Sequence, residues 1–391
     1  MRSINIIKDM LIACLRCEFC GTKIDENIRK QMTEDNLTCL YKLAVSHDIE
    51  NIIADVLLKE KILKDGKISD IYRNSLLMSV FRYQQLNYEY IRVCNLFEEN
   101  KIEYITLKGS VMRKYYPEPW LRTSCDIDIL VKEDDLEHAS ELLINELKYS
   151  KARLGPHDVS FYSESDVSLE LHYVLIENRA KRRWNPDYLE HVWEYSSAAD
   201  GRKYMMEMSD EIFYLYHIAH MAKHFEGGGC GIRPFIDLWI LDNKLEYDIK
   251  KRNKLLEKSG LVLFSNAVRR LTRIWFYSES YDDLSNRIED YILHSGVYGN
   301  MVNRVAVSQN KKGGKFKYFL SRIVLPYDSI KYRYPILNKH KWLLPFCEIL
   351  RWFQLVFCGR LGFSVRELSI NSNMTQKDIE KTSELIDKLG I

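Results

Sequence analysis

Acidic side chains whose spacing could bind a metal ion lie in the middle of this 391-residue chain. Asp126 and Asp128 flank Ile127 in a run that reads as a β-strand, and Glu170 lies in a second such run. Residues two apart in a strand face the same side of a sheet, so the two aspartates project together. Neighbouring carboxylates repel each other unless a cation lies between them, and Mg²⁺ prefers carboxylate oxygens as ligands. If the two strands are neighbours, we expect Asp126, Asp128 and Glu170 to bind Mg²⁺, or Mn²⁺ in its place.

A short upstream motif, Lys108-Gly109-Ser110, could bind phosphate groups. It stands where a predicted strand ends and a predicted helix begins. Glycine allows a ligand to approach the backbone closely, and the start of a helix presents free N–H groups. A phosphate site beside bound metal is what phosphoryl or nucleotidyl transfer requires, because metal ions neutralise the transferring phosphate and stabilise the leaving pyrophosphate. Each motif alone is equally consistent with a turn or a solvated strand end, and only the ordered combination favours an enzyme.

The elements that would position these motifs form a compact α/β unit. Apolar or alternating runs predict strands at 104–107, 126–131, 160–163 and 167–176. Helical turns are predicted at 111–116, before Pro117, and an amphipathic helix is predicted at 134–147, with acidic residues in its first turn. This succession of strands and helices predicts a small mixed sheet.

Helical patterns flank this unit on both sides. Glycine and proline are almost absent from residues 1–100, and the run 71–99 contains no helix breaker. From Asp187 onward the chain again reads as helical, with helices at 209–225 and 234–241 on either side of a glycine-rich loop. We therefore predict an α+β protein with three regions. These are an N-terminal helical region at 1–100, an α/β core at 101–186 and a C-terminal helical region at 187–391.

The composition is that of a globular protein near electrical neutrality. Hydrophobic residues make up 46% of the chain, and 57 basic against 55 acidic side chains leave a formal net charge of +2. These values exclude a disordered chain and give no general attraction to polyanions. Nine scattered cysteines, and the lack of a secretory pattern after Met1, predict a reducing, cytoplasmic location. No apolar run reaches the roughly 18 residues needed to cross a bilayer, so we expect no transmembrane segment.

The stretch 102–149 resembles the uncharacterised bacterial nucleotidyltransferase family, which belongs to the DNA polymerase β-like nucleotidyltransferase superfamily. The residues that carry this resemblance are Leu107-Lys108-Gly109-Ser110, Tyr115-Tyr116-Pro117, Arg122 and Asp126-Ile127-Asp128-Ile129-Leu130-Val131. Weaker likeness extends to the residues Tyr41–Ala44 with His47, Leu169–His172, His220, Lys223, His224 and Asp237. The resemblance implies a small mixed-sheet nucleotidyltransferase core between helical domains, with a nucleoside triphosphate such as ATP as substrate.

The resemblance also implies a role for each motif residue. Gly109 and Ser110 would hold the phosphates of the nucleotide, while Asp126 and Asp128 would bind Mg²⁺. Glu170 would be the third carboxylate, serving as a metal ligand or as the base for the acceptor hydroxyl. Fifteen residues separate Ser110 from Asp126, slightly more than is usual in the superfamily, which predicts an extended connecting loop.

Two basic residues near the motifs have open interpretations. Lys108 could pair with a phosphate or could be solvated at the end of its strand. Arg122 could bind the triphosphate or form a surface ion pair with Glu118.

Histidines supply a second set of candidate residues for binding the nucleotide or the acceptor. His172 shares a strand face with Glu170, and a predicted helix that also carries Lys223 has His217, His220 and His224 on roughly one face. The spacing of His220 and His224 is that of a zinc site, but the glutamate of a metalloprotease helix is missing. These side chains could contact substrate, or they could simply pack at an interface between domains.

The basic stretch Lys311–Lys341 carries nine Lys or Arg residues and a single acid, Asp328. Aromatic residues alternate with the basic ones, so the stretch could bind RNA through phosphate contacts and stacking, or rest on anionic lipid. The simpler interpretation, which the sequence favours, is a helical region with a solvated basic face.

Together the motifs predict a Mg²⁺-dependent nucleotidyltransferase. A nucleoside monophosphate would pass from a nucleoside triphosphate to a hydroxyl of an unknown acceptor, with a small molecule as the first choice. The alternatives are the same chemistry on a protein or RNA hydroxyl, and a non-catalytic module that only binds nucleotide. Three retained carboxylates disfavour the module, because unpaired buried acids would cost stability.

Overall fold

A computed structural model describes residues 2–176, 183–297, 299–357 and 361–391, without the side chains of residues 2–4, 361, 363 and 364. Seven strands lie within these residues: β1 (Tyr104–Thr106), β2 (Asp126–Val131), β3 (Ser150–Leu154), β4 (Asp158–Tyr162), β5 (Ser168–His172), β6 (Ser196–Ala198) and β7 (Met205–Met208). They form one mixed sheet in the order β3-β4-β5-β2-β1-β7-β6. The α+β class predicted from sequence is confirmed.

Helices surround this sheet in three groups. The first group is α1 (Arg2–Cys20), α2 (Glu26–Gln31), α3 (Glu34–Ser46), α4 (Glu50–Lys59) and α5 (Lys67–Glu99). The second group, between strands, is α6 (Gly109–Met112), α7 (Leu136–Asn145) and α8 (Asp187–Glu190). The third group is α9 (Asp210–Glu226), α10 (Arg233–Lys244), α11 (Ile249–Lys258), α12 (Val262–Tyr277), α13 (Asp283–Leu293), α14 (Met301–Lys312), α15 (Lys315–Ile323), α16 (Tyr327–Ile330), α17 (Leu344–Phe357), α18 (Leu361–Asn373) and α19 (Gln376–Lys388).

The two faces of the sheet have different chemistry, which follows from the alternation of side chains along β2. Ile127, Ile129 and Val131 are fully buried in a hydrophobic cluster with residues of α5 and α7. The opposite face carries Asp126 and Asp128 and looks toward the helices of the third group. Thus α5 and α7 cover the apolar face, while the acidic face is left for the site.

The central strands set the register of the acidic face. β2 and β5 pair in parallel, with Asp126 opposite Ser168 and Asp128 opposite Glu170. β1 runs antiparallel to β2 on the other side, and β4 continues the sheet antiparallel to β5. The pairing of β2 with β5 is the arrangement on which the predicted carboxylate cluster depended.

The N-terminal and C-terminal helices share one hydrophobic core. Buried residues of α1, α3 and α4 belong to the same cluster as buried residues of α9, α10 and α12. Cys14 lies in this core, and the Cys20 Sγ lies 3.7 Å from the Phe276 carbonyl oxygen, a contact between α1 and α12. The helical regions on either side of the sheet therefore pack together in space.

The predicted C-terminal helical region also contains two strands that sequence analysis missed. β6 and β7 form a hairpin, and β7 adds in parallel to β1. The amide groups of Lys203, Tyr204 and Met205 bind the Glu98 carboxylate at the end of α5, at 2.8–3.3 Å. The prediction that the chain is helical from Asp187 onward is therefore wrong for residues 196–208, because this tertiary contact fixes an extended segment there.

The helices α14 to α19 contain two further small hydrophobic clusters, around Tyr318 and around Leu337. Leu385 and Ile386 of α19 belong instead to the main core. No helix among the described residues is long and apolar enough to cross a membrane.

Candidate functional site

The site is built on neighbouring strands that bring Asp128 and Glu170 side by side. Ligand atoms of Asp128, Glu170 and His172 all lie within 4.8 Å of one another. His172 follows Glu170 by two residues on β5, so both side chains face the same way. The carboxylates are unequally buried, since the Asp128 side chain is 4% exposed and the Glu170 side chain is 32% exposed. Glu170 is therefore the carboxylate that a ligand can reach.

Lys108 supplies a cation to this group and is not solvated at its strand end. Its Nζ lies 2.8 Å from Asp128 Oδ1. Its backbone has φ +44° and ψ −113°, a region that residues with a Cβ rarely occupy. Such strain concentrates at functional sites. The turn at the end of β1 thus holds a basic side chain against the buried carboxylate.

Charges at the site stabilise each other. Burial opposes ionisation of Asp128, but the Lys108 charge and the hydrogen bond with His172 hold the pKa of Asp128 below its usual range. His172 Nε2 lies 2.8 Å from Asp128 Oδ1 and 3.5 Å from Glu170 Oε2. Despite burial, these two carboxylates raise the pKa of His172, and the His172 hydrogen bond lowers the pKa of Glu170. These shifts favour the ionised form of both carboxylates and the protonated form of His172.

Asp126 lies on the same face but outside the set of three residues. Burial, followed by the negative charge of Asp128, raises the pKa of Asp126 to about 6. The structure therefore brings Asp128 and Glu170 together as expected and adds His172 to them. Asp126 lies on the same face, two residues before Asp128, but is not part of this group.

The predicted phosphate motif forms a tight turn at the beginning of α6. A Cβ on Gly109 would lie 3.3 Å from the Ser124 side chain, so close packing favours glycine there. The Ser110 hydroxyl is buried and has no hydrogen-bond partner among the described residues. The Ser110 amide already bonds to the Leu107 carbonyl at 3.2 Å, so the hydroxyl is the more available donor.

Arg122 has an internal partner, in contrast to both predicted roles. Its guanidinium is buried and binds Asp237 of α10 through Nε and Nη2, both at 2.8 Å, while Nη1 donates to the Thr123 carbonyl. The Tyr116 hydroxyl donates to the same Asp237 carboxylate at 2.7 Å. The proposed surface ion pair with Glu118 is wrong, and the burial of this pair directs Arg122 away from a phosphate. Arg122 is better described as a positioning residue that ties the loop before β2 to α10.

Helix α9 lies against the acidic face and carries the predicted histidines. His220 and His224 contact each other, with 3.2 Å between their Nε2 atoms. Burial and the neighbouring His224 hold the pKa of His220 well below its usual value, and burial and the Lys108 charge lower the pKa of His224 to about 4. Both rings are therefore neutral at pH 7, and one donates to the other. The charge of Lys223 also reaches both rings.

Sequence analysis missed Tyr216, which is buried one helical turn before His220. The charges of Lys108, Asp128 and Glu170 all act on the Tyr216 phenol, whose pKa burial raises. The available signal was its spacing, because residues 216, 220 and 224 repeat every four positions and share one helix face.

A cleft of about 1370 Å³ borders the ends of β2 and β5, but its lining includes none of Asp126, Asp128, Glu170 and His172. It includes Leu130, two residues beyond Asp128 on β2, and Tyr173, which directly follows His172. Arg153, Lys331 and Arg333 contribute basic groups to the lining.

Comparison with known proteins identifies one family. The model of a family described as uncharacterised nucleotidyltransferase matches residues 33–277, which include the whole sheet and α9 and α10. No curated protein and no solved structure matches the chain.

Proposed function

Because this chain belongs to the uncharacterised nucleotidyltransferase family and is a transferase of nucleotidyl groups, we propose that it is a Mg²⁺-dependent enzyme acting on a small-molecule hydroxyl. A nucleoside monophosphate would be transferred from a nucleoside triphosphate such as ATP. The observation that carries this proposal is the convergence of Asp128, Glu170 and His172 on one point of the acidic face. A polymerase β-like superfamily relationship and a cytoplasmic location belong to the same proposal.

The donor set suits a divalent cation. Asp128 and Glu170 offer oxygen atoms, which Mg²⁺ and Mn²⁺ prefer, and Asp126 offers a further carboxylate on the same face. When bound, the ion would supply positive charge to the transferring phosphate and to the leaving pyrophosphate. His172 Nε2 lies 2.8 Å from Asp128 Oδ1, so we assign His172 to holding the Asp128 carboxylate in place and not to the metal.

The chain's own residues would then bind and orient the substrates. The Ser110 hydroxyl would donate to a phosphate oxygen, and Lys108 would lend positive charge beside it. The acceptor oxygen would form a bond to the α-phosphorus while the bond from that phosphorus to the bridging oxygen breaks and pyrophosphate leaves. Glu170, as the more exposed carboxylate, would accept the proton of the acceptor hydroxyl.

Two features favour a small acceptor. The cleft at the ends of β2 and β5 is large enough to admit a small molecule and is lined by both aromatic and charged side chains. The charges of Asp128 and Glu170 act on the buried Tyr216 of α9, and the charge of Lys108 acts on the buried His220. With Lys223 and His224, these side chains would contact the nucleotide or acceptor. A protein or RNA hydroxyl remains the alternative acceptor, and a non-catalytic nucleotide-binding module the alternative function.

The proposal is tested by the substitution Asp128→Asn. With α-³²P-labelled ATP and the small-molecule fraction of a cell extract, we expect label transfer and pyrophosphate release to fall on the order of a hundredfold or more. Because Asp128→Asn leaves Lys108 and His172 without their buried partner, it could also lower the melting temperature. The milder change Glu170→Gln, at a partly exposed side chain, should abolish transfer with little loss of stability.

The matched control is Glu257→Gln, an exposed acid of α11 outside the cleft, which should leave transfer unchanged. Unchanged transfer by Glu170→Gln would remove Glu170 from the mechanism. If ATP raises the melting temperature but no pyrophosphate appears with any extract, the binding module replaces the enzyme.

A further inference from the structure

Helix α17 has an inverted distribution of side chains. Its buried residues include Cys347, Glu348 and Arg351. Apart from Pro345 and Gln354, its exposed residues are large and apolar: Phe346, Ile349, Leu350, Phe353, Val356 and Phe357, each at least half exposed. These positions recur at intervals of three and four, so they lie on one face of the helix. Isolated exposed apolar residues are ordinary, but a continuous stripe of this kind marks an interaction surface.

The inner side of α17 is held firmly enough to present this stripe. The Arg351 Nε binds Glu348 at 2.7 Å, and Arg351 Nη2 donates to the Ile323 carbonyl at the end of α15. The Leu325 amide donates to Glu348 Oε1 at 2.7 Å. The charged side of α17 is therefore committed to the protein interior, and the apolar side faces solvent.

Aromatic rings extend the stripe in both directions. Trp342, just before α17, is 69% exposed, and its ring meets that of Phe346 at a centroid distance of 6.4 Å. The rings of Phe353 and Phe357 stack in parallel at 6.1 Å. Tryptophan and phenylalanine are the side chains that favour the boundary between lipid headgroups and acyl chains.

Basic groups border the stripe. Lys339 and Lys341 are exposed and directly precede Trp342. Arg333 Nη2 lies 2.8 Å from Gln354 Oε1 in the middle of α17. These groups belong to the basic stretch, where nine Lys or Arg residues stand against one acid. The surface thus combines an apolar face with a positively charged border.

We propose that this surface, the α17 face with Trp342 and its basic border, rests on an anionic phospholipid bilayer. At about 1.5 Å per residue, the 14 residues of α17 are too short to cross a bilayer, so the helix would lie in the plane of the interface. Anionic headgroups would bind Lys339, Lys341 and Arg333 while the apolar side chains enter the acyl boundary. A second copy of the chain would bring like charges together, and RNA would not match the aliphatic Ile349, Leu350 and Val356.

The test is sedimentation of the full chain with lipid vesicles at low salt. We expect binding to vesicles of phosphatidylcholine mixed with phosphatidylglycerol, weak binding to phosphatidylcholine alone, and release by salt. The double change Phe353→Ser and Phe357→Ser should lower the affinity for anionic vesicles about tenfold or more. Lys339→Gln with Lys341→Gln should have a similar effect and weaken the salt dependence.

The control is Leu77→Ser with Phe81→Ser on α5, where the side chains are as exposed but lie outside the basic stretch. This control should bind vesicles as the unchanged protein does. Failure of the unchanged chain to bind anionic vesicles at low salt would overturn the proposal. A loss of affinity in the Leu77→Ser, Phe81→Ser control equal to that in the Phe353→Ser, Phe357→Ser variant would also overturn it. Binding of poly(U) without vesicle binding would identify RNA instead, and concentration-dependent dimerisation abolished by Phe353→Ser and Phe357→Ser would identify a second copy.

Discussion

Charged side chains are buried both on the acidic face of the sheet and on the inner side of α17, and the two regions use them differently. At the sheet, Lys108 and His172 surround Asp128, while Glu170 remains partly open to solvent. At α17, the Arg351 and Glu348 side chains are both buried and bind each other, and apolar residues take the exposed positions. Buried charge therefore indicates a ligand site only where the charges converge on an opening. At α17, the feature that indicates a function is the exposed apolar surface on the side of the helix opposite the buried pair.

The largest effect should come from removing Arg122, which forms a third buried pair. Arg122→Ala leaves Asp237 as an uncompensated buried charge and frees the loop before β2 from α10, which should cost about 3–5 kcal/mol of unfolding free energy. Urea unfolding followed by circular dichroism measures this loss. Lys132→Ala is the control, because Lys132 pairs with Glu103 on the surface, and it should cost at most about 1 kcal/mol.

Transfer activity should fall with Arg122→Ala more than the loss of folded protein explains, since Asp126 follows the released loop. Equal losses of unfolding free energy in Arg122→Ala and Lys132→Ala would show that the buried pair does not hold the loop. That result would weaken the distinction between buried charges that position a loop and buried charges that bind a ligand.

Two buried histidines should respond to pH in opposite directions. Burial lowers the pKa of His47 to about 4, whereas the carboxylates around His172 raise the pKa of that residue. As pH falls from about 6.5 to 4, the unfolded chain binds a proton at His47 and the folded chain does not. This difference in proton binding should lower the unfolding free energy by about 3 kcal/mol. His172 acts the other way, because its contribution is present at low pH and is lost as pH rises through its folded pKa.

Urea unfolding at a series of pH values tests this contrast. His47→Gln should flatten the loss of stability between pH 6.5 and 4, and the control His138→Gln, at an exposed position, should leave the profile unchanged. A profile that His47→Gln does not alter would mean that the folded protein accepts the His47 proton without cost.

The site strands could be predicted from sequence because their pattern is local. The bounds of β2 agree with the predicted 126–131, and the strands predicted at 160–163 and 167–176 appear as β4 and β5, which pair antiparallel. Alternation along β2 separated the aspartates from the isoleucines, and the structure places them on opposite faces as expected. The prediction that Glu170 lies beside the aspartate pair needed only one further assumption, that the two strands are neighbours.

The features that could not be predicted from the sequence depend on contacts between residues far apart in the chain or have no local pattern. β3 is a fully exposed edge strand of mostly polar residues, so it has no apolar alternation to detect. β7 depends on the Glu98 carboxylate, roughly a hundred residues upstream, and Arg122 depends on Asp237 in α10. His172 had been linked to substrate, but its position between two carboxylates follows from the register of β2 with β5, which no local pattern fixes.

The smallest effect is expected from replacing isoleucine by valine, and we compare this substitution in the two regions. The Ile127 side chain of β2 is fully buried against the helices on the apolar face. Ile127→Val should therefore remove a packed methylene and lower the unfolding free energy by about 1 kcal/mol. Ile349 is 53% exposed on α17, and Ile349→Val should change the unfolding free energy by no more than about 0.5 kcal/mol. Both values come from urea unfolding without lipid, and they share the same chemical change. A cost at Ile349 equal to that at Ile127 would mean that the α17 face is already covered in solution, which would contradict a surface kept open for a bilayer.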